Sequence, residues 1–487
     1  MEKFFKIKEN GSTVRTEIFA GLTTFFAMAY IVFVNPNQVA AEGANGWLVA
    51  AGAEPVTMGK IWNSVYIASI LVAIIGTLLM AFYARMPFAQ ACGMGLNSFF
   101  CTTFVAGAFF GGEDIVTGYQ AGLVIVFVSG LVFLVLSVTG LRKYVATALP
   151  ECLKKAIPAG IGLFIAMIGL KNAGIIESNP YTFVQFFDIH GRIKSIGGDV
   201  TSLDVWHEIV PVIVALLGVF IIAILAKYNI KANVIIGIII STVLYYVMMW
   251  ELPSFDTSQI GQSFRDFKDI GLFGVFKGEA WDAAFNGEFI GGVFAAIVLI
   301  IAFCLVDMFD TVGTIYGTAA SAGMLDENGD PIRLNQSMMC DSIGTVSGAL
   351  LGTSTCTTFV ESASGVGAGG RTGLTSVITA LCFVVCLFLS PLASIIPSCA
   401  TAPALIFVGV LMAKNFANVD MDDMRSAVPA FLALIMMPLT YSISNGIGLG
   451  AIAYVIITLF SGKFTKKDIV VTVIAALFVC KFIFVTM

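Results

Sequence analysis

The chain has 487 residues, of which 58% are hydrophobic and 12% charged, with a net charge of −5 and a mean hydropathy of +0.94. A soluble chain would carry about 25% charged residues, so a set of water-soluble domains is excluded. No basic block stands beyond Lys463, Lys466 and Lys467, which leaves nucleic-acid binding without an electrostatic footprint.

In chain order, apolar segments fall at 17–35, 60–83, 88–106, 118–139, 156–171, 208–226 and 232–250. A second series follows at 288–317, 337–351, 353–370, 373–395, 401–414, 428–441 and 444–462. Fourteen spans of roughly 20 residues need about 280 apolar-dominated positions, close to what the composition supplies. The chain therefore reads as an all-α polytopic membrane protein. The first segment follows Lys3, Lys6, Lys8 and Arg15 without a small-residue cleavage site, and reads as a retained span. With the N-terminus inside, Arg85, Arg142, Lys143, Lys154, Lys155, Lys227, Lys231, Arg333, Lys414, Arg425, Lys463, Lys466 and Lys467 lie in inner loops. The outer loops 35–58, 107–117 and 391–400 are set apart by their lack of Lys and Arg. The long polar stretches 176–206 and 251–287 offer no interpretable motif. His190 and His207 are too few for a His-rich metal site or haem ligation. The ten cysteines, mostly in apolar runs and without a CxxC pair, read as small packing residues.

The chain also repeats itself. The run from Pro158 to Lys171-Asn172 resembles that from Pro403 to Lys414-Asn415; Val210-Pro211 matches Val428-Pro429, and spans led by Asn233 and Asn445 follow. Seven spans is an odd number, so two tandem copies have opposite topology. Such a 7+7 inverted repeat is the architecture of secondary transporters, with the site near the midplane where broken helices meet.

Two spans look broken: Gly93-Met-Gly-Leu-Asn97-Ser98 and Gly352 through Glu361-Ser362 to Arg371. Non-helical backbone at membrane depth is tolerated only where it lines a cavity or is buried in protein. Pairing the repeats sets Asn97 against Glu361 at equivalent helix starts; a capping role is the bland alternative for each. Within 288–317, Asp307-Met-Phe-Asp310-Thr311 puts two carboxylates on one helix face with Thr314. An ionised Asp at mid-bilayer costs about 2.5–3.5 kcal/mol on insertion scales, and no Lys or Arg lies in these spans to pair with it. Unpaired carboxylates there are held most cheaply with a proton bound, the behaviour proton coupling needs. Three acids and an amide accept N–H donors and repel anions; a flat heterocycle fits, its faces held by Phe99 or Phe359. An amine, a cation or a nucleobase would satisfy the residues alone. The glycines from Gly365 to Gly370 read as close helix packing rather than nucleotide binding.

At these residues the sequence resembles the nucleobase/ascorbate transporter superfamily, and more narrowly its AzgA-like branch of adenine, guanine and hypoxanthine permeases. The similar stretches are Gly21 to Pro36, Gly93 to Asn97, Asp307 to Thr314, and Gly352 to Ser362 with its Gly369-Gly-Arg-Thr-Gly373 tail. The resemblance implies a core domain of spans 1–4 (residues 1–150) and 8–11 (288–398). It implies a gate domain of spans 5–7 (151–252) and 12–14 (399–463), which often mediates a homodimer. Residues 253–287 would form a polar extracytoplasmic loop and 464–487 an extra hydrophobic C-terminal segment. Short antiparallel strands of the third and tenth spans would meet at the midplane. Carried across, Glu361 matches the glutamate that hydrogen-bonds the base, Asn97 the third-span asparagine, and Asp307 and Asp310 the eighth-span pair of base binding and proton transfer. Alignment to the uracil and xanthine carriers puts Asp310 at their single eighth-span acid, whereas the purine branch favours Asp307 for binding. Cys92 departs from the branch, where proline is expected, and segment 467–486, interrupted by Lys481, lies beyond the repeat as a fifteenth span or an interfacial helix.

The combined expectation is a proton-coupled purine importer, not an enzyme, in the cell (inner or plasma) membrane with a cytoplasmic N-terminus. Asp307, Glu361, Asn97, Phe99, Phe359 and Ser362 would meet the base, and Asp310, with Asp307, would serve the proton. No cofactor is expected; sodium stays open as the coupling ion, and adenine is not separated from guanine and hypoxanthine. An anion carrier of the same fold predicts cations or neutral donors where the acids stand. An intramembrane hydrolase would need its aspartates on separate spans, and a channel is disfavoured by the inverted repeat.

Overall fold

The structure, a computed structural model, describes residues 2–139, 150–179, 182–196, 203–253, 258–286, 289–322, 324–327, 331–465 and 468–484. Arg142, Lys143, Lys466 and Lys467, used above for orientation, lie outside them. Among the described residues the chain is mostly helical (77%). Among the described residues nine helices are long and apolar enough to cross a membrane, and shorter apolar helices accompany them at Asn233–Met249, Gly373–Cys386, Met424–Leu439 and Asp468–Cys480.

The first half runs α1 (Val14–Met28), α2 (Ile31–Val39), α3 (Pro55–Leu79), strand β1 (Gln90–Cys92), α4 (Met94–Phe100), α5 (Ile115–Thr139) and α6 (Glu151–Asn172). A hairpin of β2 (Ile176–Asn179) and β3 (Phe183–Phe186) precedes α7 (Leu203–Lys227) and α8 (Asn233–Met249). The second half runs α9 (Gly292–Ala322), α10 (Leu334–Leu351), strand β4 (Cys356–Thr358), α11 (Ser362–Gly367), α12 (Gly373–Cys386) and α13 (Ser398–Ala413). It ends with α14 (Met424–Leu439), α15 (Ile443–Phe460) and α16 (Asp468–Phe484). Helices apolar all round, such as α3 and α5, satisfy their backbone internally and can face other helices or lipid alike. Phe26, Val135, Phe220, Val243, Val385 and Ile456 stand exposed on outward faces, as a lipid-facing rim would.

The paired sequences of the two halves pack on each other. A Cβ on Gly162 of α6 would sit 2.9 Å from the Gly409 carbonyl, and one on Gly409 of α13 2.5 Å from the Gly162 carbonyl. Gly169 meets Ala402 in the same way, so α6 and α13 run antiparallel. The glycines after Glu361 are packing residues too. A Cβ on Gly365 would lie 2.0 Å from Thr24 Oγ1 and 2.6 Å from the Ala20 carbonyl, so α11 rests directly on α1.

One feature differs from the sequence expectation. The stretches read as featureless loops contain the β2–β3 hairpin and helices Gln259–Asp266 and Gly278–Asn286, elements of four to nine residues whose patterns are too short to stand out in a polar sequence. The segment 353–370 is a strand followed by one six-residue helix, the broken span expected at this position. The C-terminal segment is a helix that packs on α15, where Gly448 meets the Phe478 ring and Tyr454 donates to Asp468 Oδ1 at 2.9 Å. All ten cysteines are free thiols.

Candidate functional site

Two segments half a chain apart meet as antiparallel strands. Gln90 of β1 lies opposite Thr358 of β4, Ala91 opposite Thr357, and Cys92 opposite Cys356. The ladder is extended by Gly93 N–H to the Thr355 carbonyl and by Phe359 N–H to the Ala89 carbonyl, both 3.0 Å. Every residue of both strands is buried, where unpaired backbone groups would be costly; the mutual pairing is what lets two spans break side by side. Each strand then feeds a short helix, α4 after β1 and α11 after β4, and these helix starts carry Asn97 and Glu361.

Neither side chain acts as a helix cap. Gly93 occupies the position before α4 and makes no side-chain bond; Asn97 is inside the first turn, its N–H bonded to the Gly93 carbonyl at 3.1 Å. Both polar atoms of its amide are buried without a partner, as is the neighbouring Ser98 Oγ. Buried polar atoms of this kind are rare in native interiors and call for an explanation; a bound polar ligand supplies one. Glu361 stands just before α11, makes no cap bond, and accepts the Tyr30 hydroxyl at 2.6 Å on Oε1.

α9 brings its two aspartates to this crossing. Asp307 is buried; its Oδ2 accepts from Thr345 Oγ1 at 2.7 Å, while Oδ1 is buried without a partner. The same Thr345 hydroxyl oxygen accepts the Cys356 N–H at 3.1 Å, so Asp307 lies behind β4. Asp310 is placed differently: a Cβ on Gly93 would lie 3.9 Å from its Oδ2, and its carboxylate feels the charge of Glu361. Thr311 Oγ1 lies 3.2 Å from Thr357 Oγ1, tying α9 to β4.

The remaining expected residues are near the crossing but already occupied. Phe99 stacks on Phe303 with ring centroids 5.0 Å apart and planes at 24°. Phe359 is buried and continues the strand ladder. Ser362 Oγ accepts the Ala89 N–H at 3.0 Å, so its oxygen braces the backbone before β1.

Sequence reasoning missed three polar side chains. Asp341 of α10 is buried and accepts the Gln90 amide, the Thr358 N–H at 3.3 Å and the Thr358 hydroxyl at 3.0 Å, which locks β1 against β4. It carries the same signal as Asp307, an acid inside an apolar segment. Tyr30, at the α1–α2 junction, carries no such signal, since an aromatic in a first span is ordinary. Glu17 lies at the far end of α1, with its carboxylate on the start of α12. Among the described residues no group of three or more His, Cys, Asp or Glu is placed to hold a metal ion.

Residues 15–449 match the profile of the Permease family, the nucleobase/ascorbate transporters. The adenine permease AdeP of Escherichia coli K12 is 36% identical over 492 residues, covering 100% of this chain and 96% of the relative. The guanine/hypoxanthine permease PbuG of Bacillus subtilis 168 is 38% identical over 486 residues, covering 99% and 100%. Among solved structures, the transmembrane domain of a cyanobacterium bicarbonate transporter, BicA, superposes with a TM-score of 0.58 at 15% identity, over 88% of this chain and 97% of that one. The anion transporter SLC26A9 gives 0.55 at 12% identity, over 96% and 67%. These neighbours share an inverted-repeat transporter fold. The chain belongs to the permease family of nucleobase/ascorbate transporters and is a multi-pass membrane transporter of that family, not an enzyme.

Proposed function

We propose that this protein imports purine bases (hypoxanthine, guanine or adenine) by proton symport. One observation carries the reading: the β1–β4 crossing presents Asn97, Asp310 and Glu361 together, acceptors for a flat ring bearing N–H groups and repellent to anions. The relatives, an adenine permease and a guanine/hypoxanthine permease, support the same substrate class.

In this reading fourteen spans form a core (residues 1–150 and 288–398) and a gate (151–252 and 399–463), with 253–287 outside and 464–487 appended. Glu361 and Asp310 accept purine N–H groups, and Asn97 offers its orphaned amide. Asp307, one oxygen on Thr345 and the other unpartnered, stores the proton. The aspartate roles are thus exchanged relative to the sequence expectation, because Asp310 is the one beside Gly93 and Glu361. Phe99, Phe359 and Ser362 hold the crossing in shape. Base binding shifts a population between outward- and inward-open states by core movement against the gate, as an elevator or a rocking motion. Pairing through the gate would give a homodimer in the cell membrane, with the N-terminus cytoplasmic. A proton is the coupling ion; sodium is the alternative, and no cofactor takes part.

The test is uptake of labelled hypoxanthine in a host lacking purine transport. Saturable uptake, competed by guanine or adenine, favoured at acid pH and abolished by a protonophore, is expected. Uptake that needs sodium and ignores the protonophore would replace the proton; no uptake of any purine would overturn the assignment.

A further inference from the structure

The purine reading leaves open what sets preference among bases, and the Tyr30 hydroxyl bears on it. Tyr30 is fully buried between α1 and α2 and donates to Glu361 Oε1 at 2.6 Å across 331 residues of chain. A carboxylate is acceptor-only, with two oxygens able to take two parallel N–H bonds from one ligand edge. A phenol held against one oxygen fixes the rotation of the group and leaves the other as its unused acceptor. Glu361 makes no cap bond to α11, so the Tyr30 phenol is the side-chain donor that orients it. Tyr30 sits where the helix stops and restarts: Ala29 and Tyr30 form the junction, and the Ala29 N–H bonds to the Phe25 carbonyl at 2.7 Å. Its position is thus built by backbone rather than by side-chain packing alone.

Resting on the purine reading above, we propose that Tyr30 is a positioning residue that restricts Glu361 to one free acceptor and so sets the preference between bases with one and with two adjacent N–H donors. Hypoxanthine presents a single N–H beside its carbonyl; guanine adds an exocyclic amine next to that N–H. With Oε1 occupied by the phenol, the second donor of guanine gains little. Without the phenol, both oxygens are open and the two-donor edge can bind in parallel.

The test compares inhibition of labelled hypoxanthine uptake by unlabelled guanine and hypoxanthine in wild type, Tyr30→Phe and Tyr30→His. The ratio of inhibition constants does not depend on how much protein reaches the membrane. Tyr30→Phe is expected to weaken hypoxanthine and to lower the guanine-to-hypoxanthine ratio by about tenfold or more, the worth of one hydrogen bond to a charged acceptor. Tyr30→His, which keeps an N–H donor, is expected to hold the ratio nearer wild type. An unchanged ratio in Tyr30→Phe, or an equal shift in both variants, overturns the proposal while leaving purine transport standing. Binding of both bases to purified Tyr30→Phe, followed by thermal shift, gives the same ratio where uptake is too slow to measure. Absence of purine uptake by the wild type, with Glu361→Gln no different, would instead overturn the functional reading itself.

Discussion

Four acids surround the strand crossing, and what their oxygens already touch separates them. Asp341 accepts three donors and so holds two strands in register. Glu361 accepts one donor, from Tyr30. Asp307 accepts one and keeps a buried oxygen with none, whereas Asp310 faces the Gly93 turn. In the proposed roles, Asp310→Asn removes a charged acceptor of the base and raises the KM for uptake by roughly 10- to 100-fold, from about 1.5–3 kcal/mol for a charge-assisted hydrogen bond. Asp307→Asn is expected to leave base exchange across the membrane near wild type while abolishing accumulation driven by a pH gradient. Equal losses of exchange and accumulation in Asp307→Asn would contradict that split. Asp307, Asp310 and Glu361 were legible because an acid in an apolar run is expensive and needs a reason. Asp341 carries the same cost but sits among Ser, Thr and Gly in Cys340-Asp-Ser-Ile-Gly-Thr, where polarity blends into a small-residue segment. Tyr30 was invisible, since its partner lies in the other half of the chain.

At the scale of elements, buried side chains replace the bonds that broken helices lose. Glu17 of α1 is fully buried and its carboxylate accepts the N–H groups of Arg371, Thr372 and Thr375 at 3.0, 3.3 and 3.2 Å, and the Thr375 hydroxyl at 2.6 Å. A negative charge at the start of α12 meets both its free N–H groups and its dipole. Glu17→Gln is therefore expected to cost about 2 kcal/mol, read as a lower unfolding temperature in detergent, with substrate affinity unchanged in the protein that remains folded. An unchanged unfolding temperature would show that the carboxylate is not holding the helix start. The inverted repeat was readable from Pro158 and Pro403 because helix punctuation survives where apolar residues drift. The three-residue strands were not readable by pattern, being too short for an alternation to register; only the Thr-rich run before Glu361 hinted at extended backbone.

For the whole molecule, transport in the proposed manner requires an outer boundary that opens and closes. Between the proposed core and gate lies a cavity of about 520 Å³ lined by Asn37, Glu42, Trp62, Asn172, Tyr245 and Glu251 among others. Beside it the Lys171 ammonium sits 4.9 Å from the Trp47 ring centre and 5.0 Å from that of Tyr441. Glu42, in the loop between α2 and α3, has its carboxyl pushed up to about 7 by burial, against the opposing pull of the Ser398 hydroxyl and the Lys171 ammonium. A carboxyl raised in the closed contact binds its proton more tightly there than in water. The contact thus strengthens as pH falls from about 7 toward the ordinary carboxylate range, and weakens as pH rises through 7. An impermeant thiol reagent added outside is expected to reach Asn172→Cys more slowly at pH 6 than at pH 7.5, after normalising to the same reporter carrying Glu42→Gln. No difference between the two backgrounds would remove Glu42 from the closure.

The central claim is that a purine and a proton cross together at the β1–β4 crossing. Its most direct test is purified protein in liposomes holding a pH-sensitive dye, with hypoxanthine added outside. Hypoxanthine is expected to acidify the lumen in the wild type, and with Glu361→Gln, inserted to the same level, it is expected not to. Hypoxanthine entry without acidification, or acidification that survives Glu361→Gln, would contradict it.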